Sequence, residues 1–119
     1  MQIEKAGEAD REFLAAIVPT APDVVLKPMF GNLGAFVNGN MFAGLFGSVV
    51  GVRLDEAGLA QLGEVDGVQP FGPAGHAMGG YLGLPDAWRA SPDEAAAWVA
   101  RAYAHVGGLP PKAPKPRKK

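Results

Sequence analysis

The pair Asn38-Gly39 constrains this chain more than any other local feature. It lies inside an apolar, glycine-punctuated run that reads Met29-Phe30-Gly31-Asn32-Leu33-Gly34-Ala35-Phe36-Val37-Asn38-Gly39-Asn40-Met41-Phe42-Ala43. A two-residue type I′ turn needs positive φ at both central positions. Asn and Gly adopt that conformation at little cost, so the pair folds its flanks into a β-hairpin. The predicted arms are residues 34–37 and 40–46. Phe36 then faces Met41 across the ladder, and strict alternation puts Ala43 and Leu45 on the same side. Val37, Phe42 and Phe46 fall on the opposite side. Both sides are apolar, so helices packed on one side leave the other to be covered by something else.

The rest of the chain supplies those helices. Phe13, Leu14, Ile17 and Val18 make an apolar stripe that predicts a helix over residues 8–18, ended by the Pro19–Pro22 stretch. Residues 24–30 read as a strand, with Pro28 marking an edge or an end. Gly47-Ser48 turns into a third strand over 49–54, with Val50, Val52 and Leu54 on one face and Arg53 on the other. Asp55 is placed to cap a short helix over 56–62. Residues 63–75 are turn-rich, with Val68 and Phe71 able to dock inward. Residues 76–84 read as a glycine-weakened strand with Met78 and Leu82 on one face and Tyr81 on the other. Ser91-Pro92-Asp93-Glu94 has the pattern of a capping box with proline at the first helical position. The stripe Ala95, Trp98, Val99, Ala102, Tyr103 and Val106 follows, and Gly107-Gly108 stops the helix. The expected fold is α+β: a two-layer domain over residues 1–109 with an antiparallel meander sheet packed by N- and C-terminal helices. Residues 110–119 are expected to be a flexible, basic Pro/Lys-rich tail.

Bulk properties exclude several classes. At 119 residues and 48% hydrophobic content the chain can bury a core without staples. It has no cysteine, which removes disulfides, thiolate catalysis and thiolate metal sites. No apolar run is long enough to span a bilayer and no leader pattern opens the chain, so a cytoplasmic protein without membrane contact is expected. The net charge of −1 hides an asymmetry. Of 11 basic residues, five (Lys112, Lys115, Arg117, Lys118 and Lys119) lie in the tail. The remaining six face 12 acids, so the body stands near −6 and the tail near +5. This is not the charge pattern of a basic nucleic-acid-binding domain. A mobile tail of five cations gives weak, salt-sensitive, non-specific nucleic-acid association at most.

These residues resemble the TfoX N-terminal domain family, also called TfoX/Sxy-like. Its signature is Met-Phe-Gly-Gly, a short Gly-containing strand, a turn, then Met-Phe-Ala. Here it reads Met29-Phe30-Gly31-Asn32, then Gly34-Ala35-Phe36-Val37, then Asn38-Gly39-Asn40 leading into Met41-Phe42-Ala43, with Asn32 in place of the second Gly. Val52-Arg53-Leu54, the Phe-Gly-Pro at Phe71, the strand with Met78 and Tyr81, and Leu84-Pro85 extend the likeness over nearly the whole chain. The resemblance implies an α+β domain. Its best-known full-length members regulate competence genes and carry a second, helical domain; the likeness here is to a stand-alone member.

No residue constellation carries chemistry. His76 and His105 lack metal-ligand spacing and a sequence-near carboxylate partner. Ser48 sits in a turn and Ser91 at a helix start, neither in a nucleophile elbow. The pairs Asp55-Glu56 and Asp93-Glu94 sit at helix starts, where acids complement the macrodipole. The glycines form neither a P-loop nor a dinucleotide fingerprint. No cofactor or metal is expected. The leading expectation is a small non-enzymatic interaction or regulatory module, acting as a homodimer or with a protein partner through Val37, Phe42 and Phe46. A small-molecule pocket or minor enzyme between sheet and helices near Arg53, His76, Tyr81 and Trp88 is the alternative, and the basic tail on nucleic acid is the third.

Overall fold

The computed structural model describes residues 7–29, 32–72 and 79–109, with Met29 described in its backbone alone. The elements are α1 (Glu8–Ile17), β1 (Val24–Met29), β2 (Asn32–Val37), β3 (Asn40–Phe46), β4 (Val49–Arg53), α2 (Glu56–Gly63), β5 (Tyr81–Gly83), a 3-10 helix (Asp86–Ala90) and α3 (Pro92–Gly107). The five strands form one antiparallel sheet in chain order, β1-β2-β3-β4-β5. A meander with helices before and after it is the expected α+β architecture.

Local chemistry explains most of the boundaries. Asn38 (φ 54) and Gly39 (φ 80) take the positive φ that the two-residue turn demands. Gly47 (φ 62) opens the next turn. The Asp55 carboxylate accepts from the Gly58 N–H at 2.7 Å and caps α2. At α1 the Asp10 carboxylate turns back onto the Gly7 N–H at 2.9 Å, and Arg89 holds its other oxygen at 2.7 Å, which ties the 3-10 helix to α1. Partial burial pushes the Asp10 carboxyl up, but the Gly7 N–H and the Arg89 guanidinium outweigh it and leave the pKa lowered.

Two expectations need correction. Ser91 sits at the start of α3 with proline following, but its side chain makes no capping bond; its backbone carbonyl accepts from Glu94 N–H at 3.0 Å instead. Of the strand expected over 76–84, residues 79 and 80 form a turn and Tyr81–Gly83 the strand, while His76 and Met78 lie outside the described residues.

The hairpin carries the largest correction. Phe36 pairs with Met41 as the turn requires, but Ala35 pairs with Ala43, so Phe42 is an extra residue, a β-bulge. Beyond a bulge the alternation restarts with the opposite sense. Phe42, Ala43 and Leu45 therefore share the face that also carries Ala35, Val37, Val50 and Val52, all fully or nearly fully buried. α3 lies on this face with Ala95, Val99, Ala102 and Val106 inward, and Tyr103 meets Phe42 edge-on at 5.4 Å. Val37 and Phe42 are core residues under the helices, not members of an exposed interface. Phe36, Met41 and Phe46 occupy the other face.

The bulge also aligns glycines. An unbroken ladder from the turn would set Gly44 opposite Leu33; with Phe42 looped out, Gly34 pairs with Gly44, Gly44 with Gly51 and Gly51 with Gly83. This row crosses four strands on the face away from the helices. A Cβ on Gly51 would lie 2.1 Å from the Phe71 ring, and one on Gly44 3.1 Å from the Met41 sulfur. The loop after α2 reaches this groove by pairing Gln69 with Gly83 along the outer edge of β5, then laying Phe71 across Gly51. Phe71 is fully buried there.

A double-mutant cycle tests that seat. Gly51→Ala forces overpacking and should cost about 1–3 kcal/mol, and Phe71→Ala should cost about 3–5 kcal/mol by emptying the groove. Combined, they should cost clearly less than their sum, because the ring that the new methyl strikes is gone. Additive losses in chemical denaturation would show that ring and glycine do not share this contact.

The open face of the sheet

The sheet face away from the helices is built by alternation. β1 contributes Val25 and Lys27, β2 Phe36, β3 Met41 and Phe46, β4 Arg53 and β5 Tyr81. Phe71 covers its centre, with ring centroids 5.1 Å from Phe46 and 5.8 Å from Tyr81. The Tyr81 hydroxyl donates to the Met41 carbonyl at 2.9 Å, bridging β5 to the hairpin. Lys27 Nζ stands 4.6 Å from the centroid of Phe36, a cation–π contact. Phe36, Met41 and Phe46 keep part of their surface exposed, and Val25 at the margin is 49% exposed. No described helix covers this part of the sheet.

The sheet edges are blunted. The β5 edge is occupied by Gln69. On β1, Pro28 has no N–H, so its nitrogen lies on the outer side, and alternation puts Leu26 and Val24 outward with it. The Val24 N–H already bonds the Ala21 carbonyl at 3.1 Å. Among the described residues of β1 that leaves Leu26 as the outward donor, too little for an added strand.

The residues expected to line one pocket are divided by the sheet. Arg53 and Tyr81 are cross-strand partners on the open face. Trp88 sits in the 3-10 helix on the helical side, beside a cavity of about 10 Å³ near Phe13, Leu84 and Arg89, room for a single water at most. His76 lies outside the described residues, as do Phe30, Gly31 and the tail residues Lys112, Lys115, Arg117, Lys118 and Lys119. A larger hollow of about 220 Å³ lies between the end of α1 and β1, bordered by Val18, Pro19, Ala21, Val24 and Leu26, and is widely open. Among the described residues no group of three His, Asp or Glu side chains is placed to hold a metal ion. No described helix is long and apolar enough to cross a membrane.

Sequence reasoning missed the parts of this face that depend on register. It placed Met41 and Phe46 on opposite sides, and it gave Lys27 no role. Asn32, which replaces a glycine of the family signature, is buried, and its side-chain oxygen accepts from the Gly47 N–H at 2.9 Å, fixing the β3–β4 turn against β2. A polar residue at the start of an apolar strand was the one signal for that role.

The family model described as the TfoX N-terminal domain matches residues 13–106. No curated protein matches the chain.

Both tyrosines should titrate late. Burial raises Tyr81, partly offset by the charge and hydrogen bond of Arg53. Tyr103 is raised by its hydrogen bond to Asp23 at 2.7 Å, with burial and the Asp23 charge adding to it. In each case the folded pKa exceeds the unfolded one, so the stabilisation is complete below about pH 10 and is lost as pH climbs through the folded values. Phenolate absorbance should therefore rise at higher pH in the native chain than in denaturant, and Tyr81→Phe and Tyr103→Phe should each remove one late component. Coincident native and denatured curves would contradict the geometry at both hydroxyls.

Proposed function

The chain belongs to the TfoX N-terminal domain family, and from that premise we propose that it is a small, non-enzymatic interaction and regulatory module that works through the open face of its hairpin sheet. One observation carries this reading. The bulge at Phe42 sends Phe36, Met41 and Phe46 together to the face the helices leave uncovered, where Phe71 fills the centre and the hairpin side stays partly exposed. The face stands on paired strands and is bridged by the Tyr81 hydroxyl, which holds its side chains in place. A preorganised surface of that kind binds without first having to order itself. Arg53 and Tyr81 lie on one side of the sheet and Trp88 on the other, which supports binding over catalysis.

Selection from a random peptide library against the full chain tests the reading. Selected peptides should lose about tenfold or more in affinity when Phe36→Ser and Met41→Ser are introduced, as expected for residues at the centre of a contact, with circular dichroism unchanged. Ligands whose binding ignores both substitutions would place the interaction surface elsewhere.

A further inference from the structure

We propose that the partner received by this face is an acidic amphipathic peptide segment rather than a second copy of the chain; the proposal rests on the open face being the interaction surface. The five strands contain two charged residues, Lys27 and Arg53, and no carboxylate. Register puts both cations on the open face. Lys27 pairs with Gly34, in line with the glycine row, and Arg53 lies two residues past Gly51 on β4. Three interstrand spacings separate β1 from β4, so the backbone positions carrying the cations are roughly 15 Å apart, on either side of Phe36 and Met41. Of the described acids, Glu8, Asp10, Glu12, Glu56, Asp93 and Glu94 sit on the α-helices and Asp86 on the 3-10 helix, while Asp23, Asp55, Glu64 and Asp66 lie in connecting segments; none is on a strand.

That distribution opposes self-pairing. Two copies joined through this face would bring four cations around one apolar centre with no strand carboxylate to meet them, and juxtaposed like charges are costly. A segment with an apolar stripe flanked by carboxylates meets the same surface with opposite sign. On an α-helix, rising 1.5 Å per residue, carboxylates about ten residues apart span the distance between Lys27 and Arg53.

The rings favour peptide over single-stranded nucleic acid. Base stacking needs open aromatic faces. Phe36 already carries the Lys27 ammonium, Phe71 is fully buried, and Phe46 and Tyr81 pack on Phe71. Met41 adds a flexible thioether, which adapts to apolar side chains rather than to base planes.

Two synthetic helical peptides provide the probe. They share one leucine stripe and differ in carrying Glu or Lys at the two flanking positions. Fluorescence anisotropy with the full chain should show the Glu peptide binding at least tenfold tighter than the Lys peptide, with the difference shrinking as salt rises. Lys27→Glu and Arg53→Glu together should invert the preference. Equal binding of both peptides, lost in Phe36→Ser, overturns the acidic-partner proposal and leaves the open face standing. Binding indifferent to Phe36→Ser overturns the face itself. A preference for Glu that survives the double charge reversal assigns it to the basic tail and overturns the proposal. So do binding of neither peptide and tighter binding of oligothymidine lost in the same variants.

Discussion

The extra residue at Phe42 is the constraint on which the rest of this structure depends. Without it the ladder set by the Asn38-Gly39 turn would run unbroken and Phe42 would share a face with Phe46. With it, Phe42 turns under α3 against Tyr103, and Met41 turns the other way beside Phe36. One residue of slip thus assigns an aromatic to the core and a methionine to the surface. It also brings four glycines into line, and that line is the groove into which Phe71 fits.

The two sheet faces are consequently stabilised by different means. The helical side is ordinary amphipathic packing, with the Ala95, Val99, Ala102 and Val106 stripe on branched strand residues. The other side has no helix. It depends on absent side chains: a backbone floor low enough for one ring to lie flat, with Phe46 and Tyr81 as walls. Any side chain added at Gly51 would lift that ring and open the centre of the face. Stability there and the shape of the open face are the same property.

Much of the architecture was legible in the sequence because it follows from local chemistry. The Asn-Gly turn, the Asp55 cap and the α3 stripe each have a cause within a few residues, whereas Phe71 is seated by the glycine register of distant strands, on the face away from the helices. What was not legible was register. A bulge leaves no mark when both of the residues it redistributes are apolar, as Met41 and Phe42 are, so Val37 and Phe42 were assigned to the wrong side. Arg53, Tyr81 and Trp88 failed as a group for a related reason: their separation depends on which way β5 and the following 3-10 helix leave the sheet, which residue types do not encode. Ser91 shows a third limit, since a capping motif supplies the atoms for a bond that the local backbone (φ −133, ψ 67) does not make.

The blunted strand edges have a consequence for valency. Among the described residues, Gln69 bridges β5 at Gly83 and Pro28 interrupts β1, so neither edge presents a full row of groups for copies to join edge to edge into a growing ribbon. Its open face is a single patch. A sheet blunted at both edges is not extended by strand addition, so any contact made through it would have to be made face on.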